Sequence, residues 1–446
     1  MENSDRDARS GNYPYISPVP GRIPVVAFNP WVSRKESRWQ DAPGNTFKVL
    51  GRCGFNTAVL HVPEEGILSR AFSLAKESGI TCILQHYKHT LNNVMETLVE
   101  RFKDESNLGA FELKDEPTFF TLGIPQYTGA RLDWQEGEIR EMYDTIRGII
   151  IRDRLNLMVF MNLAYYEKKG NFGNYPTYLD YLKKIQAAYL PAMWSYDVYP
   201  IISKEGATYI DQTKFYNAFN DFMQIAGLSG RPFWAYCMSM QYTRYDNKGT
   251  IDHSRPAPTA GNLRYEAFSA LAYEAQGIIY WAYAQTEDNS SEKQLTAPID
   301  RQGRRTDVWF NARQVNSEIA RYSDVFLGCT VVSVFLRDNP LLSGEMLILH
   351  NVSPVSNIVA DESGKVLVSH IRNGAYEYAV IVSQNPFRAI DFILVYKNNY
   401  LDSYDVLEMT PNFLSEATID KPAAPSTTRR IELDPGGYAI IRWKAK

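Results

Sequence analysis

Apolar and polar positions alternate between two periods along residues 23–284. Short apolar runs are followed by polar, aromatic loops and then by stretches with helical spacing. The runs are Ile23–Phe28, Thr57–Val62, Ile80–Leu84, Gly109–Leu113, Leu157–Asn162, Ala192–Tyr196, Pro232–Tyr236 and Gly277–Tyr283. Runs that are apolar throughout suit strands buried on both faces, as in a parallel sheet covered by helices. Between them, Leu91, Val94, Met95, Leu98, Val99 and Phe102 fall on one helical face. So do Ile139, Met142, Tyr143, Ile146, Ile149 and Ile150, and Phe215, Tyr216, Phe219, Phe222 and Met223. Gly54, Gly79, Gly230 and Gly277 stand before four of the strands, as expected where a helix ends. Eight such units predict an α/β fold, a closed (β/α)8 TIM barrel. An open doubly wound sheet is the alternative. Its usual glycine-rich first turn is replaced here by Phe28-Asn-Pro-Trp31.

Residues 311–327 read as a last helix. After Gly328 the pattern changes to short β-type runs: Thr330–Leu336, Glu345–His350, Lys365–His370, Tyr376–Val382, Ile390–Tyr396, Arg429–Leu433 and Tyr438–Trp443. Turn residues such as Asn373-Gly374 and Asp434-Pro-Gly-Gly437 divide them. This predicts a C-terminal antiparallel β-sandwich over 328–446, with a surface loop at the Pro-, Ala-, Ser- and Thr-rich stretch 414–428. The expected organisation is a flexible polar leader at 1–21, a barrel at 22–327 and the sandwich. The leader lacks the apolar segment of a signal peptide. Should a signal have been removed ahead of it, a periplasmic, cell-surface or secreted location is expected.

Composition narrows the partners. A net charge of −4 argues against nucleic acid and against an anionic membrane surface. No apolar run is long enough to make a membrane-spanning segment. Cys53, Cys82, Cys237 and Cys329 are far apart, and no metal, phosphate-loop or dinucleotide motif occurs. No cofactor and no metal are therefore expected. Aromatic residues are high at 13% of the chain; some of that surplus suits a core, and ring faces also stack on sugars and bases.

In a (β/α)8 barrel the site forms at the C-terminal ends of the strands. Those positions carry Asn29 and Trp31; His61, Glu64 and Glu65; Gln85, His86 and Tyr87; Asp115 and Glu116; Asn162 and Tyr165; Asp197 and Tyr199; Met238 and Gln241; and Trp281, Tyr283 and Gln285. Carboxylates, amides and aromatic rings suit an uncharged polyhydroxylated ligand. The fourth run ends in Asp115-Glu-Pro117. Its proline cannot donate to a ladder, so both acids fall where strand becomes loop.

In these residues the chain resembles the clan A (β/α)8 glycoside hydrolases and their Asp-Glu-Pro relatives. The resemblance implies that Glu116, between Asp115 and Pro117, is the acid/base, and that Trp281 at the end of strand eight is a sugar platform. It also implies an oligosaccharide or polysaccharide partner, and a small β-sandwich after the barrel is typical. One departure stands out. The clan places its nucleophilic glutamate at the end of strand seven, where this chain reads Pro232-Phe-Trp-Ala-Tyr-Cys-Met-Ser-Met-Gln241 without a carboxylate. Asp197 is the substitute expected, with Glu287 as a second candidate. An Asp197 base paired with a Glu116 acid favours inversion. Asp115, Trp31, His86, Asn162, Tyr199, Gln241, Trp281 and Tyr283 are the expected substrate-binding set. The alternatives are a non-catalytic glycan-binding barrel that has lost the seventh-strand nucleophile, and a lyase or esterase on the same scaffold.

Overall fold

The computed structural model describes residues 17–28, 30, 46–61, 65–85, 92–116, 136–165, 176–246, 248–285, 292–336, 354–360, 365–397, 404–409 and 428–445. The chain divides into two compact units, residues 1–257 with 277–313, and residues 258–276 with 314–446.

The first unit is a closed parallel barrel of β1 (Val25–Ala27), β2 (Thr57–His61), β3 (Thr81–Gln85), β4 (Leu108–Asp115), β5 (Met158–Ala164), β6 (Trp194–Asp197), β9 (Phe233–Met238) and β12 (Ile278–Trp281). They are the eight strands expected, and β1 closes on β12 through Val25 opposite Ile278. Helices α1 (Thr46–Arg52), α2 (Glu65–Glu77), α3 (Asn92–Phe102), α4 (Glu136–Asp153), α5 (Tyr178–Tyr189) and α6 (Gln212–Ser229) lie between strands. Alternate strand residues form an apolar cluster of Val26, Phe28, Val59, Ile83, Ala110, Met158, Phe160, Trp234, Tyr236 and Ile279. This is how parallel strands fill a barrel of this size.

Gly54, Gly79 and Gly230 have φ of 87°, 67° and 64°, the left-handed geometry that favours glycine after a helix. Gly277 differs. A Cβ there would lie 2.6 Å from Cδ2 of Trp234, so glycine is required by the close approach of an indole in the neighbouring strand. At the chain's start, Thr81 Oγ1 donates to Pro18 O at 3.2 Å, and a Cβ on Gly109 would meet Pro18 Cβ at 2.6 Å. Residues 17–21 are thus ordered beside β3 and β4. The rest of the expected leader lies outside the described residues.

The loops after barrel strands six, seven and eight are not simple connections. They supply β7 (Ile201–Lys204), β8 (Ala207–Ile210), β10 (Gln241–Tyr245), β11 (Ile251–Arg255) and β13 (Glu292–Thr296). These join as a five-stranded sheet in the order β13-β10-β11-β7-β8, antiparallel at every pairing. It stands at the C-terminal ends of the strands.

The second unit holds two antiparallel sheets. One is β14 (Thr330–Leu336), β16 (Val366–Asn373), β17 (Tyr376–Ser383), β21 (Tyr438–Ala445) and β19 (Tyr404–Met409). The other is β15 (Val355–Ala360), β18 (Ile390–Tyr396) and β20 (Thr428–Leu433). They share a core containing Phe335, Ile358, Val368, Ile381, Phe392, Leu394, Ile441 and Trp443, as in a β-sandwich. The expected run Glu345–His350 and most of the 414–428 loop lie outside the described residues, whereas β15 and β19 were not anticipated. Helix α7 (Ala260–Ala272) belongs to this unit and is buried along its length, opened by a capping box of Thr259 and Asn262. Its Phe268 stacks on Tyr438 at 3.6 Å. The last helix begins earlier than expected, as α8 (Asp307–Arg321), and a short turn α9 (Ser323–Phe326) follows a break at Tyr322. All four cysteines are free and buried. Burial raises the thiol pKa of Cys53 and Cys82, and that of Cys329 to about 12, so none of these three is a ready thiolate.

Candidate active site

Three adjacent strand ends build the centre of the site. Asp115 of β4 stands opposite Asn162 of β5, and Asn162 stands opposite Ser195 of β6. β4 ends as Glu116 turns into left-handed geometry with φ 47°, rare for a residue with a side chain. Its N–H donates to Asn162 O at 2.9 Å, and its side chain is exposed. Asn162 is 1% exposed. Its Oδ1 accepts from Ser195 Oγ at 3.1 Å, and its Nδ2 donates towards Asp197 Oδ1 at 3.5 Å. Asp197, last residue of β6, is half-buried. One asparagine therefore touches the backbone of one acid and the carboxylate of another.

The opposite part of the rim is aromatic. Trp281 at the end of β12 is half-buried, with Tyr199 tilted against it at 5.9 Å and Tyr242 edge-on at 5.6 Å. Met238, Met240 and Ala297 complete this cluster. The end of strand seven is thus filled by two methionines, and Ser239 Oγ between them donates to Ala282 O at 3.1 Å. No carboxylate occurs from Phe233 to Tyr245.

Of the expected site residues, Glu116, Asn162 and Asp197 come together, and Tyr199 and Trp281 form a ring pair. Gln241 is half-buried and opens β10 opposite Thr296 of β13. Tyr283 is instead a core residue. It is 1% exposed, its hydroxyl accepts from Trp309 Nε1 at 3.3 Å, and Phe55 packs edge-on to its ring. Burial raises its pKa. Gln285 donates to Gln294 O at 2.6 Å and so ties the strand-eight loop to the rim sheet. Trp31, His86, Glu287 and the side chain of Asp115 lie outside the described residues. Among the described residues, no three His, Cys, Asp or Glu side chains gather as a metal-binding group. No described helix is long and apolar enough to cross a membrane.

Sequence reasoning missed two features. Glu112 of β4 is fully buried, opposite Gln85 of β3. Its signal was an acid inside an otherwise apolar run. The rim hairpin contributes Tyr242, His253 and Arg255. Its signal was the pair of alternating runs around Asp246-Asn-Lys-Gly249.

Comparison with known proteins bears on the fold. Residues 124–322 match the family model of glycoside hydrolase family 42, described as beta-galactosidase. That span contains Asn162, Asp197, Tyr199, Gln241 and Trp281, and Glu116 precedes it. No curated protein matches the chain by sequence. Among solved structures, a catalytic mutant of a GH42 beta-galactosidase from G. stearothermophilus aligns at TM-score 0.59 and 10% identity, over 97% of this chain and 100% of that one. The beta-galactosidase from Bacillus circulans sp. alkalophilus aligns at TM-score 0.57 and 10% identity, over 95% and 99%. The beta-galactosidase from the psychrophilic Marinomonas ef1 aligns at TM-score 0.47 and 10% identity, over 68% of this chain and only 61% of its own length. The closed barrel is the fold these structures share, and residues 124–322 are similar to glycoside hydrolase family 42.

Proposed function

We propose that this chain is a glycoside hydrolase, with Glu116 as general acid and Asp197 as the base that activates water. The observation that carries the proposal is the Asn162 bridge, which holds the backbone of Glu116 at 2.9 Å and reaches Asp197 at 3.5 Å. One strand separates β4 from β6. Two strand spacings of about 4.8 Å put their backbones roughly 10 Å apart. An acid paired with a base that activates water acts by inversion, with the carboxyl groups about 6.5–9.5 Å apart to admit that water, rather than by retention at about 5–5.5 Å. An inverting site needs no nucleophile on strand seven, which is consistent with the methionines there. The half-buried face of Trp281, braced by Tyr199, suits the C–H side of a sugar, and Asn162 and Gln241 offer amides to its hydroxyls. The matched family's description makes aryl β-galactosides the first substrates to try, followed by other aryl glycosides and oligosaccharides. General acid catalysis contributes about 10²–10⁴-fold, so Glu116→Gln and Asp197→Asn should each lower kcat at least about 100-fold. Unchanged turnover by Glu116→Gln would remove that residue from the chemistry.

A second reading is a non-catalytic glycan-binding barrel. It is favoured by the apolar cluster of Met238 and Met240, which occupies the place of the clan's nucleophile. Calorimetric binding of an oligosaccharide that is never cleaved would select it.

A further inference from the structure

The rim hairpin carries a surplus of positive charge beside the sugar platform. In the β10–β11 ladder, Tyr242 stands opposite Arg255 and Arg244 opposite His253. Directly opposed residues of an antiparallel pair lie on the same face of the sheet. Tyr242 meets Trp281 edge-on at 5.6 Å, so Arg244, His253 and Arg255 share the face that packs on the platform.

Arg255 is half-buried, and its partners are all neutral. Nη1 donates to Tyr199 O at 2.6 Å and to Ile201 O at 2.8 Å, and Nε reaches Tyr242 OH at 3.5 Å. The guanidinium carbon lies 5.9 Å from the centre of the Tyr199 ring. Among the described residues, no carboxylate pairs with it and Nη2 donates to no partner. The neighbouring acids are engaged elsewhere. The Asp252 carboxylate accepts from His253 Nδ1 at 2.9 Å, and Glu292 approaches Arg244 at 3.9 Å. A cation withdrawn from water without a counter-charge is costly, and the two N–H groups of Nη2 can donate to an oxyanion.

The geometry points to an anionic glycan as the ligand: Arg255, supported by Arg244, takes a carboxylate or sulfate group on the sugar beside the one that covers Trp281. This rests on the glycosidase reading above and adds a substrate class to it. Uronic acids and sulfate esters both offer an anionic oxygen to the Nη2 donors.

The test is calorimetric titration of the Glu116→Gln protein, which prevents turnover, with three oligosaccharides of equal length. One is uncharged, one contains uronic acid and one is sulfated. At low salt at least one anionic ligand should bind about tenfold or more tighter than the uncharged one, and high salt should shrink the difference. A preference confined to the uronic acid or to the sulfated ligand identifies the source of the anion. Arg255→Gln should abolish the preference, and Arg255→Lys should keep part of it. Arg244→Gln, at an exposed position where misfolding is not expected, should reduce the preference about threefold and leave uncharged binding intact. Circular dichroism verifies that each variant is folded. Equal or tighter binding of the uncharged ligand overturns the anion site alone. Failure of all three ligands overturns the glycan reading with it.

Discussion

Replacing Asn162 by alanine separates the two acids it joins. The backbone bond from Glu116 N–H to Asn162 O survives, because only the side chain is cut. Two described hydrogen bonds of that side chain are lost. Ser195, fully buried, loses the acceptor it reaches at 3.1 Å. A buried hydroxyl left without a partner costs about 1–3 kcal/mol. At about 2 °C per kcal/mol, the low end suited to a long chain, the melting temperature should fall by about 2–6 °C. Asp197 loses its donor at 3.5 Å. A hydrogen bond to a charged group contributes about 1.5–3 kcal/mol in good geometry, and this length argues for the lower figure. That corresponds to roughly tenfold in kcat/KM on an aryl glycoside. Ser195→Ala is the companion variant. It removes the serine's bond to Asn162 and leaves the amide free to hold Asp197, so kcat/KM should stay near the parent's. A folded Asn162→Ala protein with parental kcat/KM would refute the idea that this asparagine orients a working base.

Three further outcomes are expected. Gly277→Ala drives a methyl into the Trp234 indole, with 2.6 Å to the nearest ring atom, and should cost about 1–3 kcal/mol in urea unfolding. Glu318→Ala breaks a buried bidentate pair in which Arg264 Nε and Nη2 donate to the carboxylate at 2.8–3.1 Å. It removes the carboxylate from a buried guanidinium and should cost about 3–5 kcal/mol by the same measurement. Burial pushes the Asp221 carboxyl up from 3.8 to about 6, against the opposing bond from Tyr165 OH. The folded state then holds its proton more tightly than the unfolded chain, so stability falls as pH rises from about 4 through 6. Asp221→Asn should therefore raise the melting temperature at pH 7 and change it little at pH 4. An equal effect at both would contradict the burial.

The barrel was legible because its strands are apolar on both faces and its helices carry clear stripes. Trp281 and the acids at 115 and 116 were legible because strand ends mark the rim of such a fold. The five-stranded rim sheet was not. Its strands are four or five residues long and mostly half-exposed, as in Glu292–Thr296, so no apolar run announces them. Their pairing comes from three separate loops that only the closed barrel brings together. Arg255 has no signal of its own in the sequence; the ladder sets it opposite Tyr242. Tyr283 was placed at the rim by its nearness to Trp281 in sequence. Its burial depends on Phe55 and Trp309, which are distant along the chain. Gly277 carried the same ambiguity, since a helix-ending glycine and one cleared for an indole look alike in sequence.

The pairing of Glu116 with Asp197 across Asn162 is tested most directly by the anomeric form of the first sugar released, followed by proton NMR before mutarotation. A product of inverted configuration is expected from a general acid and a base that activates water. A product that keeps the configuration of the substrate would require a covalent nucleophile and would contradict the role given to Asp197.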